Sequence, residues 1–197
     1  MARPKGYDEA EALDRVKAAF WREGYEGLGI RAIEEETKLG RFAIRTAFGG
    51  KEGLMHAAMG AYRAEAEEYV LGPMRARDDL DALTEMLVGI VTPAEGSCRH
   101  FGCLMVNSSI EGAVRESELL KAQVTAHFET LREEVAALIR RAQAQGHARA
   151  DLDPEDAGQF ILGVVMGANV MNRSVGNVTA ARGFIAQAVS TVDGWRA

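Results

Sequence analysis

Between Gly29 and Phe48 the chain reads GIRAIEEETKLGRFAIRTAF, and this stretch restricts the possible folds more than any other. Ile30, Ile33 and Thr37 stand at i, i+3 and i+7, so they share one face of a short helix. Lys38, Leu39 and Gly40 interrupt the pattern, and Ile44 and Phe48 at i and i+4 restart it as a second short helix. Neither is long enough to persist alone in water, so both must lean on a neighbour. Two such helices joined by a tight turn make a helix-turn-helix, the unit that lays its second helix in the major groove of DNA.

Charge agrees with that reading. Lys38, Arg41, Arg45 and Lys51 follow one another with no acidic residue until Glu52, the kind of run that neutralises phosphates. Taken by itself such a run also describes a solvated helix face. The whole chain carries a formal net charge of -6 and a pI near 5.3, which argues against indiscriminate coating of nucleic acid and leaves room for a localised basic patch. Its 197 residues, 47% hydrophobic and 26% charged, suit one or two soluble domains with a real core. The start MARPKGYDEAEALDR has no apolar core of the secretory kind, and the longest apolar run, Phe160 to Met171, is too short to span a bilayer. A cytoplasmic protein with no membrane partner is expected. Cys98 and Cys103 are too few for a disulfide scaffold.

Helical spacing runs through the rest of the chain. Asp8 and Glu11 form a capping box, Leu13, Val16 and Phe20 mark the inner face of a first helix, and Gly24 ends it. That helix supplies the core that the two short ones lack. A longer helix is expected from Lys51 to Leu71, with Leu54, Ala58, Ala61, Tyr62, Ala66 and Tyr69 inward and a stop at Gly72-Pro73. Asp79 opens another, with Leu80, Leu83, Leu87 and Ile90 inward, which Pro93 closes before a loop from Thr92 to Arg99. Phe101 to Gly112 reads as a buried helix. Ser117 caps a long helix through Leu120, Val124, Phe128, Leu131, Val135 and Leu138 that ends at Gly146. Asp153-Pro154 starts a helix that is apolar nearly all round, so it must be covered on both sides, and a last helix spans about Thr179 to Val192. No strand pattern appears. The architecture is all-α: a DNA-binding helix-turn-helix unit over residues 1–52 and a larger helical body for ligand binding and dimerisation over 53–197.

These residues resemble the TetR-type transcriptional regulators. The likeness is carried by Phe20-x-x-x-Gly24-Tyr25, then Ile30, Ile33, Thr37, Leu39, Gly40, Arg41, Ile44, Phe48, Lys51 and Leu54, about a quarter of the chain. A looser likeness lies in Gly102-Cys103-Leu104-Met105-Val106-Asn107 followed by Glu111. The resemblance implies that Gly29, Arg31, Gly40, Arg41, Phe42, Ala43, Arg45 and Thr46 touch DNA, and that Lys51 meets a phosphate at the start of the fourth helix. The sequence departs from the family at three places. Arg45 stands where relatives carry a tyrosine, Phe42 where a small residue or glutamine is common, and Lys38 where glycine makes the turn.

One reading helix contacts too few base pairs to compete with a genome of non-specific sites, so a homodimer on a short inverted repeat is expected. Phe160, Val164, Gly167, Met171, Phe184 and Ala188 on the last two helices are the candidate dimer contacts. Met55, Met59, Tyr62, Met86, Cys103, Asn107, Phe128, Met166 and Asn169 are candidates for an apolar pocket holding a small-molecule effector, although core packing explains most of them equally well. No cofactor is implied. The helix after Lys51 touches both units and is the expected transmitter between them.

Three rival readings come from the same residues. Cys98-x-His100-x-x-Cys103 is either a metal site, without a standard zinc spacing, or a redox or electrophile sensor using Cys103 or Cys98. An enzyme finds little support, because none of His56, His100, His127 and His147 sits in a nucleophile motif. Gly49-Gly50-Lys51 lacks the rest of a phosphate-binding loop, and consecutive Glu34, Glu35 and Glu36 splay around a helix. The third rival is a helical dimer that has lost DNA binding.

Overall fold

Apolar spacing resolves into eleven α-helices in the computed structural model, which describes residues 9–94 and 98–197. Asp8 lies outside those residues. α1 (Glu9–Gly27) leaves helical geometry at Gly24, whose φ of +80° suits glycine. The break sits where the spacing predicts it. Glu111 accepts from the backbone N–H of Tyr25 (3.1 Å) and Glu26 (2.8 Å), while Glu26 accepts from Ala113 N–H (2.7 Å). Two chain segments far apart in sequence thus satisfy each other's orphaned amides.

α2 (Ile30–Thr37) and α3 (Arg41–Phe48) form the helix-turn-helix. Thr37 Oγ1 donates to Ile33 O (2.6 Å) and accepts from Leu39 N–H (3.2 Å), pinning the turn from inside. Lys38 takes the left-handed conformation, φ 60° and ψ 13°, that ends α2. Glu34 accepts from Arg41 N–H (2.6 Å) and so caps α3 across the turn.

α4 (Lys51–Ala66) does not stop at Gly72-Pro73. It widens into a π-helical segment, Glu67–Leu71, and continues as α5 (Gly72–Arg75). Gly72 N–H reaches Glu67 O, so the wider turn carries the chain past a proline that has no N–H to give. The altered phase buries Leu71 and Met74 and leaves Tyr69 67% exposed, although the α-helical spacing put Tyr69 inside. α6 (Asp81–Ile90) begins where Asp79 accepts from Ala82 N–H (3.2 Å).

The segment from Phe101 to Gly112 is broken rather than one helix. A 3-10 turn (Cys98–Phe101) is followed by α7 (Leu104–Ser109) and α8 (Gly112–Glu116). Gly102, at φ +78°, lies so close to the helix carrying Asn169 that a Cβ there would be 2.7 Å from Asn169 O. Tertiary approach, invisible to helical periodicity, forces the break. Ser117 caps α9 (Glu118–Ala144) through Leu120 N–H (3.1 Å). Asp153 caps α10 (Pro154–Val175) through Glu155 N–H (2.8 Å) and Asp156 N–H (3.1 Å), and α11 (Arg182–Asp193) closes the body.

Two apolar cores result. The first joins Val16, Phe20, Leu28, Ile33, Leu39, Ile44, Leu54, Met55 and Met59 to Leu104, Met105, Val114 and Leu120. It draws on both sides of residue 52, so the reading unit is seated on the body through shared side chains. The second packs Leu83 and Leu87 with Val135, Leu138, Ile161, Ala168, Ile185 and Val192. Each fully buried side chain of this size contributes about 1.5–3 kcal/mol, which stabilises helices too short to stand alone. Phe128 and Met166 pack against both cores.

Candidate functional site

Burying Ile44 against the first core decides which way α3 faces. The opposite face presents Arg41, Phe42, Arg45 and Thr46 to solvent, with Phe42 81% exposed and the Arg41 side chain 65% exposed. Ala43 is half-buried, while Gly29, Arg31 and Gly40 are exposed beside it. Thr46 Oγ1 donates to Phe42 O (2.8 Å). Neighbouring carboxylates are tied back: Glu36 takes Arg22 (2.6 Å), Glu34 serves as the α3 cap, and Glu52 is bonded by Ser117. An outward cationic and aromatic face on a helix of this size is suited to a major groove. Lys51 is half-buried. Its ammonium lies 4.6 Å from the Tyr25 ring centroid, and burial lowers its pKa against the pull of Glu111 and Glu26.

A cavity of about 440 Å³ opens in the helical body, with Trp21 of α1 contributing to its wall. Tyr62, Met86, Cys103 and Asn169 lie on its wall. The other candidates do not: Met55 and Met59 are fully buried in the first core, Asn107 donates to Phe101 O (2.8 Å), and Phe128 and Met166 bridge the cores. Helical spacing alone misses Trp21, His127, Leu131 and Val165, which also line it. Trp21 belongs to α1, so the reading unit itself forms part of the cavity. Its Nε1 donates to Gly102 O (3.0 Å) and its ring meets Tyr62 edge-on at 5.1 Å. The one sign in the sequence is that Trp21 adjoins the inward Phe20 near the end of the first helix.

Burial governs the titratable groups here. It raises Tyr62 well above the ordinary phenol range and raises the Cys103 thiol to which Tyr62 is hydrogen-bonded. Burial, with the Arg63 charge added, pushes His127 down to about 4. At neutral pH the wall therefore carries a thiol, a phenol and a neutral imidazole. Cys103 is 5% exposed and lacks the electropositive, open setting of a reactive thiolate. Among the described residues no group of three or more His, Cys, Asp or Glu side chains is placed to hold a metal, and His100 lies against Phe101 with ring centroids 3.9 Å apart.

A surface-borne helix-turn-helix above a helical body with an internal cavity defines the class of DNA-binding transcriptional regulators. A family model described as tetracyclin repressor-like, C-terminal domain, matches residues 75–188, and the chain belongs to the TetR family of transcriptional regulators rather than to any enzyme family. It is 24% identical over 173 residues to the HTH-type transcriptional repressor ComR of Escherichia coli K12, covering 87% of this chain and 82% of that protein. It is 27% identical over 157 residues to the repressor AcnR of Corynebacterium glutamicum, covering 80% and 77%. Among solved structures, a cysteine mutant of the TetR-family regulator CifR complexed with a 26-bp double-strand operator superposes with a TM-score of 0.84 at 26% identity, covering 98% of this chain and 100% of that one. A TetR-family regulator from Agrobacterium tumefaciens shares the fold, with a TM-score of 0.81 at 21% identity. No helix among the described residues is long and apolar enough to cross a membrane.

Proposed function

We propose that this chain is a repressor that binds an inverted-repeat operator in double-stranded DNA as a homodimer and leaves it when a small effector fills the cavity. The observation that carries the reading is a solvent-facing α3 combined with a cavity walled partly by α1 of the same reading unit. Residues 1–52 act as the DNA-binding domain and 53–197 as the ligand-binding and dimerisation domain. Arg41 and Arg45 bind phosphate or pair with guanine, and Phe42 meets a base edge. Gly29, Arg31, Gly40, Ala43 and Thr46 bring backbone and short side chains to the duplex, while Lys51 reaches a phosphate from its seat over Tyr25.

For the dimer, α10 and α11 leave an apolar face of Phe160, Val170, Met171, Val175 and Phe184, each between 39% and 68% exposed. Gly167 sits under Phe184, and Val164 and Ala188, at 3% exposed, serve the subunit's own core. Pairing this face with its symmetry mate places two α3 helices in successive grooves roughly 34 Å apart. An effector that prefers the spacing misfitted to DNA weakens binding; a coupling of about 1–3 kcal/mol is 5- to 150-fold.

Footprinting on the DNA upstream of the protein's own gene tests the reading. A protected inverted repeat is expected, with affinity falling steeply with salt and dropping at least about tenfold in Arg41→Ala or Arg45→Ala. Light scattering is expected to report two subunits, and Phe160→Glu to shift the sample towards one. A stable monomer, or no protected repeat, defeats the proposal.

A further inference from the structure

Four kinds of group line the cavity: aromatic rings, apolar side chains, engaged charges and unused polar atoms. Every charge with a side chain on the wall already has a partner. Arg77 bonds Asp79 (2.7 Å) and Glu85 (2.8 Å), Glu65 takes the Lys17 ammonium, and Arg99 donates to Gly89 O (2.9 Å). A charged ligand entering here finds these charges already engaged and must give up its water without a waiting counter-charge, which is costly.

The unused polar capacity is of another kind. Asn169 spends its Nδ2 on Val165 O (2.8 Å), which leaves its carbonyl oxygen open to an incoming donor. Among the described residues none hydrogen-bonds the ring of His127, which stands 5.9 Å from the Tyr62 ring on the same wall. A neutral imidazole offers one donor and one acceptor. Trp21 and Tyr62 supply rings, and a volume of about 440 Å³ accommodates a two-ring molecule.

We infer that the cavity selects an uncharged, flat and largely apolar molecule bearing one amide-like donor and acceptor pair, oriented by His127 and Asn169 against the Trp21–Tyr62 rings. The inference rests on the reading of this cavity as the effector site and adds the chemical class of the ligand. It also makes Trp21 the direct point at which occupancy is felt by the helix that carries the reading unit.

The test uses the whole protein and four probes on one scaffold: para-substituted biphenyl carboxamide, biphenyl carboxylate, biphenyl methylammonium and methylbiphenyl, titrated by calorimetry at neutral pH. The carboxamide is expected to bind at least about tenfold more tightly than either ion. His127→Leu lowers carboxamide affinity about tenfold and leaves methylbiphenyl unchanged, whereas His127→Gln, which keeps a donor and an acceptor, retains most of it. Either ion binding as tightly as the carboxamide overturns the inference, and so does an equal loss of both neutral probes in His127→Leu. The ranking on the unaltered protein needs no variant to fold. A gel shift run beside it separates the two claims: carboxamide binding without operator release removes the effector reading and leaves the ligand class, while operator binding with no preference among probes does the reverse.

Discussion

Phe42, Lys38 and His127 each sit where local rules and tertiary need disagree, and each disagreement has a measurable consequence. Phe42 leaves 81% of its surface in water beside Arg41 and Arg45. An aromatic ring so placed on a reading helix is suited to a thymine methyl. Once the operator is mapped, replacing its thymines with uracil one by one is expected to weaken the wild type about fourfold at one position per half-site, from about 0.8 kcal/mol per buried methyl, and to leave Phe42→Ala indifferent there. Lys38 is the one non-glycine residue at positive φ among those described, a conformation that costs a side-chain-bearing residue about 1 kcal/mol. Lys38→Gly is therefore expected to gain up to about 1 kcal/mol in urea denaturation, offset by the larger chain entropy of unfolded glycine. His127 has its pKa held at about 4 by burial and by Arg63. Between that value and the ordinary 6.5 the unfolded chain binds a proton that the folded one refuses, so stability falls as pH falls through that window. A loss of about 2 kcal/mol between pH 7 and pH 5 follows for this residue, and denaturation of His127→Gln at both pH values is expected to show a correspondingly smaller drop.

At the scale of elements, hydrogen bonds to helix ends add to the shared core that seats the reading unit on the body. Arg173, in the last turn of α10, donates to Trp21 O (2.9 Å), Arg22 O (3.2 Å) and Phe101 O (3.2 Å). These carbonyls belong to the last turn of α1 before its break at Gly24 and to the 3-10 turn before Gly102, where helical partners are missing. One planar guanidinium thus ties α10, the end of α1 and the 3-10 turn together. Arg173→Ala is expected to cost about 1–3 kcal/mol in stability, and Arg173→Lys to recover only part because an ammonium lacks the fork. The expected transmitter is the helix from Lys51 to Leu71, whose α4 part packs in the first core and whose π-helical end puts Leu71 in the second. Arg173 is a second tie between the two units, hidden from the sequence because its three acceptors lie more than seventy residues upstream.

Across the whole molecule, the all-α class and the helix-turn-helix were legible in the chain because their signals are local. The i, i+3 and i+7 spacing of Ile30, Ile33 and Thr37, the Ser117 and Asp153 caps and the Gly24 break depend on residues within a turn or two of one another. The direction of α3 was legible too, since burying Ile44 leaves Arg41 and Arg45 outside. Cavity membership was only half legible. Helix phase separates inner from outer faces, and Met59 and Tyr62 are both inner, yet one is packed solid and the other borders open space. The same limit placed Val164 and Ala188 on a dimer face when the subunit's own core consumes them. Which inner surfaces close on each other, where the π-turn carries α4 past Pro73, and how Trp21 comes to share a cavity wall with His127 depend on side-chain volumes meeting across distant segments. Periodicity along one chain carries no record of those volumes, so packing in three dimensions decided them.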